Sequence, residues 1–260
     1  MDMLKDKVAF ITGGASGIGK GTALRFAQEG ARVVLADLDR EAGEAVRGQI
    51  EQAGGQALFV ECDVSQAGSV EAAIAQALQT YGRLDIVFAN AGVNGVWAPI
   101  EELQPDEWAR TININLTGTY LTVHYAVPHL KAAGGGSIIV TSSVNGTRTF
   151  STPGASAYSS SKAGQVAFTK MLALELGRHG IRVNVVCPGK IETNIGERTE
   201  PRGTESIGIK VELPQGNPAL NAGEGDPSEV ADACLFLASD LGRHVSGVEL
   251  FVDGGASLLR

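Results

Sequence analysis

The chain has 260 residues, 43% of them hydrophobic and 19% charged, with a formal net charge of −8. That is enough apolar material for a sizeable core, and the acidic balance argues against a nucleic-acid or anionic-membrane surface, which would need clustered Lys and Arg. No apolar run approaches the roughly 18 residues of a membrane span, the opening MDMLKDKVAF lacks a signal-peptide pattern, and the histidines show no metal-ligand spacing. The three cysteines, Cys62, Cys187 and Cys234, lie far apart and fit reduced, buried thiols, so the expectation is a cytoplasmic protein with no metal and no membrane partner.

Short β-branched runs alternate with longer amphipathic stretches. Strands are expected at Val8–Thr12, Arg32–Asp37, Ala57–Val60, Leu84–Ala89, Ser137–Thr141, Arg182–Val186 and Glu249–Val252, each brief and continuous as a strand buried on both faces should be. Helices are expected over 17–29, 39–53, 67–81, 105–133, 156–179 and 228–238, with Gly30, Gly54, Gly82 and Gly180 just past helix ends. The rhythm predicts a single α/β domain: a doubly wound, Rossmann-like parallel seven-stranded sheet with helices on both faces. The Gly-, Pro- and Glu-rich stretch 190–227 interrupts it after a strand end, where open α/β sheets bind ligands, and reads as a substrate lid.

The stretch ITGGASGIGKGTAL, residues 11–24, admits two readings. Gly14, Gly19 and Lys20 approach a phosphate-cradling P-loop, but that loop needs Ser or Thr after its Lys to ligate Mg²⁺, and Gly21 stands there. Gly13, Gly17 and Gly19 instead suit a dinucleotide turn, with Gly13 allowing the tight turn out of the first strand. Gly17 and Gly19 would let backbone approach a pyrophosphate, which the free N–H groups at the helix start would bind. Asp37 ends the next strand, where an acid about 20 residues on holds adenosine ribose hydroxyls and repels a 2′-phosphate. That favours NAD(H) over NADP(H), although Arg40 stands near enough in sequence to swing toward a 2′-phosphate.

In SAYSSSKAG, Tyr158 and Lys162 are one helical turn apart, which sets them about 6 Å from each other. A phenol is a poor base near neutrality, and a nearby ammonium favours its anion. The pair is therefore a candidate proton donor and acceptor.

With these motifs in order, the chain resembles the short-chain dehydrogenase/reductase family in its short, single-domain form, from residue 5 to residue 255. TGGASGIG carries Thr12, Gly13, Gly17 and Gly19; NAG carries Asn90, Ala91 and Gly92; NLTG carries Asn115; TSSVNG carries Ser143; YSSSK carries Tyr158 and Lys162; PGKIET carries Pro188, Gly189 and Thr193; VDGG closes the last strand. The resemblance implies hydride transfer between a nicotinamide cofactor and a secondary alcohol or ketone. Tyr158 would exchange the proton, Lys162 would lower the tyrosine's pKa and hold the nicotinamide ribose, and Ser143 would orient the substrate carbonyl. Asn115 would kink its helix and help hold a relay water. Ser16 and Ile18 fall within the cofactor turn. Asp63 and Val64 would bind adenine, Asn90, Ala91 and Gly92 would line the ribose side, Pro188 and Gly189 would follow the sixth strand, and Ile191 and Thr193 would contact the carboxamide. Adjacent Ser142 and Ser143 cannot both face the pocket, and Ser143 matches the family placement. The resemblance also implies a homotetramer through the 105–133 and 156–179 helices.

Substrate contacts are expected from Asn94, Trp97, Asn145, Arg148, Phe150 and Glu192, a mixed set that leans toward a hydroxylated or carboxylate-bearing compound, with Lys190 a further candidate. One alternative function is an NADPH-dependent ketoreductase, and the other is a non-catalytic NAD-sensing or scaffold protein on the same fold. The complete set Asn115, Ser143, Tyr158 and Lys162 argues against the latter.

Overall fold

A computed structural model of the protein describes residues 2–196, 199–209, 220 and 224–259. Its main sheet has seven strands in the spatial order β3-β2-β1-β4-β6-β7-β9, and every pairing in it is parallel. The strands are β1 (Val8–Thr12), β2 (Arg32–Asp37), β3 (Gln56–Glu61), β4 (Ile86–Ala89), β6 (Gly136–Thr141), β7 (Ile181–Pro188) and β9 (Glu249–Val252). All seven predicted strands are present.

Strand alternation divides the core into two halves. Val8 and Phe10 of β1 face the half that holds α3 (Ala67–Tyr81), α5 (Gly118–Ala132) and α7 (Ser156–Gly177). Ala9 and Ile11 face the other, covered by α1 (Gly17–Gln28), α2 (Arg40–Gln52) and α8 (Pro227–Ala238). Burial on both faces is why these strands read as continuous apolar runs. Gly30, Gly54, Gly82 and Gly180 all have positive φ, between 69° and 87°, as left-handed turns after helices require.

Three features differ from the sequence expectation. The long helix over 105–133 is broken: α4 (Pro105–Ile112) passes into a π-turn at Asn113–Thr117 before α5 begins. A one-turn helix, α6 (Val144–Thr147), follows β6. The stretch 190–227 is not wholly irregular, because its strand β8 (Thr199–Pro201) pairs in parallel with β5 (Gly95–Trp97) in a separate two-stranded sheet. The middle and part of the end of the predicted lid, 210–219 and 221–223, lie outside the described residues, as do 197–198.

The strand order reverses between the parallel neighbours β1 and β4: β2 and β3 follow on one side, and β6, β7 and β9 on the other. The crevice beyond their C-terminal ends is the switch point where doubly wound sheets bind ligands.

Candidate active site

The turn after β1 is built around missing side chains. Gly13 and Gly17 adopt φ of 65° and 50°. A Cβ on Gly19 would overlap the Gly13 carbonyl, and one on Gly13 would press on the Ala91 backbone. The turn is thus folded against the NAG segment after β4. Asn90 holds it there: its Nδ2 donates to the carbonyls of Thr12 and Gly13 at 3.1 and 3.3 Å, and its Oδ1 accepts from Thr141 Oγ1 at 3.0 Å. The Asn90 side chain is therefore spent on bracing β1, β4 and β6 rather than free for a ribose. The backbone N–H groups of Asn90 and Ala91 both donate to Thr12 Oγ1.

Ser16 caps α1 in extended conformation, leaving helix-start N–H groups open, and Ile18 packs on the α1–α2–α8 core. A cleft of about 240 Å³ is lined by Ala15, Ser16, Gly17, Lys20, Asp37 and Asn194, among others. Asp37 is held rigidly at its edge, Oδ2 accepting from Ala15 N at 3.0 Å and Oδ1 from Asp39 N at 3.1 Å. A carboxylate has about four acceptor sites, so two remain for a ribose diol. Thr193 lies against Gly17, where its side chain would sit 3.0 Å from a Cβ there. Asp63 turns its Oδ1 to Ser65, accepting from both N and Oγ, and Val64 packs beside Gly118. Gly189 allows Asp253 to approach, and Pro188 pairs with Val252. Ile191 bridges to Gly225.

The candidate proton-handling residues meet at the end of β6 and the start of α7. Lys162 is 3% exposed and donates its ammonium to the Thr141 carbonyl at 2.9 Å. Burial pushes its pKa down from 10.5 to about 8. Its Nζ stands 5.6 Å from the centre of the Tyr158 ring, close to the helical spacing expected. Nζ has three donors, one of which goes to the Thr141 carbonyl, and Gly92 lies beside it with no Cβ to fill the space. Tyr158 is partly exposed as a residue, yet the protein packed around its hydroxyl raises the phenol's pKa, while the Ser143 hydroxyl hydrogen-bonds it and acts in the opposite sense. Ser142 points the other way, its Oγ donating to the Lys162 carbonyl at 2.8 Å. Ser143 also caps α6 by accepting from Asn145 N at 3.1 Å. Gly146 lets α6 rest directly on α7 at Lys162 and Ala163, fixing the serine relative to the lysine.

Asn115 is wholly buried inside the π-turn and clamps Val93, Oδ1 accepting from its N–H at 2.8 Å and Nδ2 donating to its carbonyl at 2.9 Å. The same Nδ2 reaches Ser161 Oγ at 3.0 Å, joining α7 to the NAG loop. The Asn115 carbonyl accepts from Thr119 Oγ1 at 2.7 Å and from Gln165 Nε2 at 2.9 Å. A relay water at that oxygen, which the resemblance implies, would have to compete with Gln165. Gln165 and Thr119 carried no motif and were missed by sequence reasoning.

The expected polar substrate contacts are largely engaged elsewhere. Arg148 lies flat on Phe251 of β9, its guanidinium carbon 3.4 Å from the ring centre. Asn94 donates to Thr199 Oγ1 at 2.8 Å, Asn145 to Thr152 Oγ1 at 3.0 Å, and Lys190 pairs with Glu224 at 2.6 Å. The Trp97 indole N–H donates to the Asn94 carbonyl. Phe150 is 68% exposed, and Glu192 is exposed with its N–H tied to the Gly225 carbonyl. Among the described residues no cluster of three His, Cys, Asp or Glu could hold a metal ion, and no helix is long and apolar enough to cross a membrane.

Comparison with known proteins shows the family and the fold. The family described as enoyl-(acyl carrier protein) reductase matches residues 13–257. The chain is 39% identical over 255 residues to 2,5-dichloro-2,5-cyclohexadiene-1,4-diol dehydrogenase of Sphingobium indicum, covering 98% of each. A crystal structure of a 3-ketoacyl-ACP reductase from Sinorhizobium meliloti 1021 is 52% identical, with a TM-score of 0.94 over 97% of this chain and 100% of that one. A 3-ketoacyl-(acyl-carrier-protein) reductase from Brucella melitensis, solved with NADH, is 34% identical with a TM-score of 0.85, over 98% of this chain and 99% of the other. The chain belongs to the short-chain dehydrogenase/reductase family, oxidoreductases that use a nicotinamide cofactor on alcohol and ketone groups.

Proposed function

We propose that this enzyme is an NAD(H)-dependent dehydrogenase of secondary alcohols, with Tyr158 as its acid and base. The observation that carries the reading is the convergence of the Ser143 hydroxyl, the Tyr158 phenol and the buried Lys162 ammonium beside the switch-point crevice. The residues fit the cofactor. The glycine turn leaves backbone room that a Cβ would fill, Asp37 keeps acceptors for a ribose diol, and Lys162 keeps donors for a second ribose. When bound, the cofactor supplies the hydride acceptor or donor.

The protein's part is positioning and proton transfer. Ser143 holds the substrate oxygen next to the Tyr158 hydroxyl. In the oxidising direction the Tyr158 phenolate takes the hydroxyl proton, and the Ser143 hydrogen bond stabilises that anion. In the reducing direction Tyr158 returns the proton to the carbonyl oxygen. Asn115 keeps the NAG loop and α7 in register, and Gly13, Ser16, Gly17, Ile18, Gly19, Asp37, Asp63, Val64, Ala91, Gly92, Pro188, Gly189, Ile191 and Thr193 line the cofactor's path. The NAD(H) preference rests on Asp37.

The substrate reading shifts from the sequence expectation. With Arg148, Asn94, Asn145 and Lys190 committed to protein partners, a neutral alcohol with an apolar body fits better than a carboxylate. The diol-dehydrogenase relative favours the same class. Reduction of a 3-ketoacyl group on a carrier protein is the second reading, favoured by the identity to the Sinorhizobium protein. Asn194, in the described part of the expected lid, lines the cleft, which supports a lid role for that part within a single catalytic domain. Exposed Tyr120, Met171 and Leu174 on α5 and α7 support association through those helices into a homotetramer, and the three free, buried cysteines fit the cytoplasm.

An absorbance screen of NADH formation tests this. Cyclic secondary alcohols, polyols and hydroxy acids are offered with NAD and NADP in parallel, with an acetoacetyl thioester in the reverse direction. Turnover of neutral cyclic alcohols with NAD supports the reading. Activity confined to the thioester with NADPH overturns it in favour of the second.

A further inference from the structure

The cofactor preference proposed above rests on Asp37, and the adenosine end of the cleft holds a second device that deepens it. Asp37 and Glu61 are register partners at the ends of β2 and β3 and so face the same side of the sheet. Helix α2 covers that side closely because Gly43 has no side chain; a Cβ there would overlap the Phe59 ring. This seating puts Arg40, the first residue of α2, over Phe59, with its guanidinium carbon 5.7 Å from the ring centre. From there Nη2 reaches Glu61 Oε2 at 2.9 Å. Arg40 is three residues from Asp37 and would be the natural partner for a 2′-phosphate, yet its charge is spent on Glu61.

We propose that Glu61 is a specificity-determining residue that withholds Arg40 from the adenosine 2′-position and so reinforces discrimination against NADP. Phe59 beneath and Gly43 behind it hold the guanidinium in the orientation that Glu61 captures. Lys20 also lines the cleft and is left unchanged by this pair. Both Arg40 and Glu61 are more than half exposed, so the restraint is modest, and an exposed pair shifts an equilibrium by a factor of roughly two to five.

Calorimetric binding of NAD and of NADP to the purified full chain tests this without relying on turnover. Glu61→Gln is expected to raise the NADP/NAD affinity ratio roughly two- to five-fold, through tighter NADP with NAD unchanged, and the gain should shrink as salt is added. The gain should vanish when Arg40→Ala is combined with Glu61→Gln. An unchanged ratio in Glu61→Gln, or a gain that survives Arg40→Ala, overturns the proposal. Asp37→Ala separates it from the reading beneath. If Asp37→Ala shifts the ratio and Glu61→Gln does not, the Glu61 proposal alone fails. A wild-type protein that prefers NADP overturns both.

Discussion

Replacing Lys162 with Met should make the cofactor-free protein more stable near neutral pH. The ammonium is buried, and its pKa falls from 10.5 to about 8. At about 1.4 kcal/mol per pH unit that corresponds to a penalty of about 3 kcal/mol for keeping the charge in the folded state. The Met variant also loses the hydrogen bond to the Thr141 carbonyl and leaves that acceptor unpaired, a loss of about 1–2 kcal/mol. The net gain is about 1–2 kcal/mol, or a rise in Tm of roughly 2–6 °C for a domain of this size. The sign reverses with pH. Below about 8 both the folded and unfolded chains hold the proton, and the wild type carries the whole penalty. Between about 8 and 10.5 the unfolded chain binds more protons than the folded one, so wild-type stability climbs with pH. Thermal denaturation of both proteins without cofactor, at about pH 7 and about pH 10, reads this directly. A Met variant no more stable than wild type near neutrality, or a gap independent of pH, refutes the buried-charge argument. Such a gain would mark a site that gives up stability for chemistry.

Four further outcomes follow from the same contacts. Ser143→Ala removes the hydrogen bond that lowers the Tyr158 pKa, so the alkaline rise of the pH–rate profile for alcohol oxidation should move to higher pH; an unshifted profile contradicts that coupling. Gly19→Ala forces a Cβ into the Gly13 carbonyl and should abolish cofactor binding by calorimetry, whereas Gly68→Ala, on α3 with open space around it, should leave binding intact. Arg202 forks onto Glu107 at 2.8 and 2.9 Å and reaches the Glu102 carbonyl, so Arg202→Ala should speed proteolytic cleavage within 195–209. The same arginine holds the Glu107 carboxyl down to about 2, so the clamp should be at full strength above the ordinary 4.5 and weaken progressively as pH falls from there toward 2, read by the same proteolysis.

The strand rhythm was legible because each strand is buried on both faces and so carries an uninterrupted β-branched run, as VAFIT and RVVLAD do. The glycine turn and Asp37 were legible because backbone geometry and a single acid dictate them. The break at Asn113–Thr117 was not, since apolar periodicity looks the same on either side of a π-turn, and what fixes it is the clamp of Asn115 on Val93, 22 residues away. Strands β5 and β8 have three residues each, and Pro201 sits in one, too short for alternation to register. Arg148 shows a different limit. Its type suggested an anion partner, but the facing Phe251 comes from a strand more than 100 residues later, and that pairing exists only in the fold. Ser142 and Ser143 lie past the end of β6, so alternation could not separate them; family placement chose Ser143, and the fold turns the Ser142 hydroxyl to the Lys162 carbonyl.

The central claim is that Tyr158 moves the proton. Stopped-flow hydride transfer in Tyr158→Phe, with NADH binding followed in parallel by fluorescence, tests it most directly. The account predicts retained cofactor affinity and a fall in the hydride-transfer rate of at least about a hundredfold, the scale of a lost general acid–base. Hydride transfer at the wild-type rate in a variant that still binds NADH would contradict it.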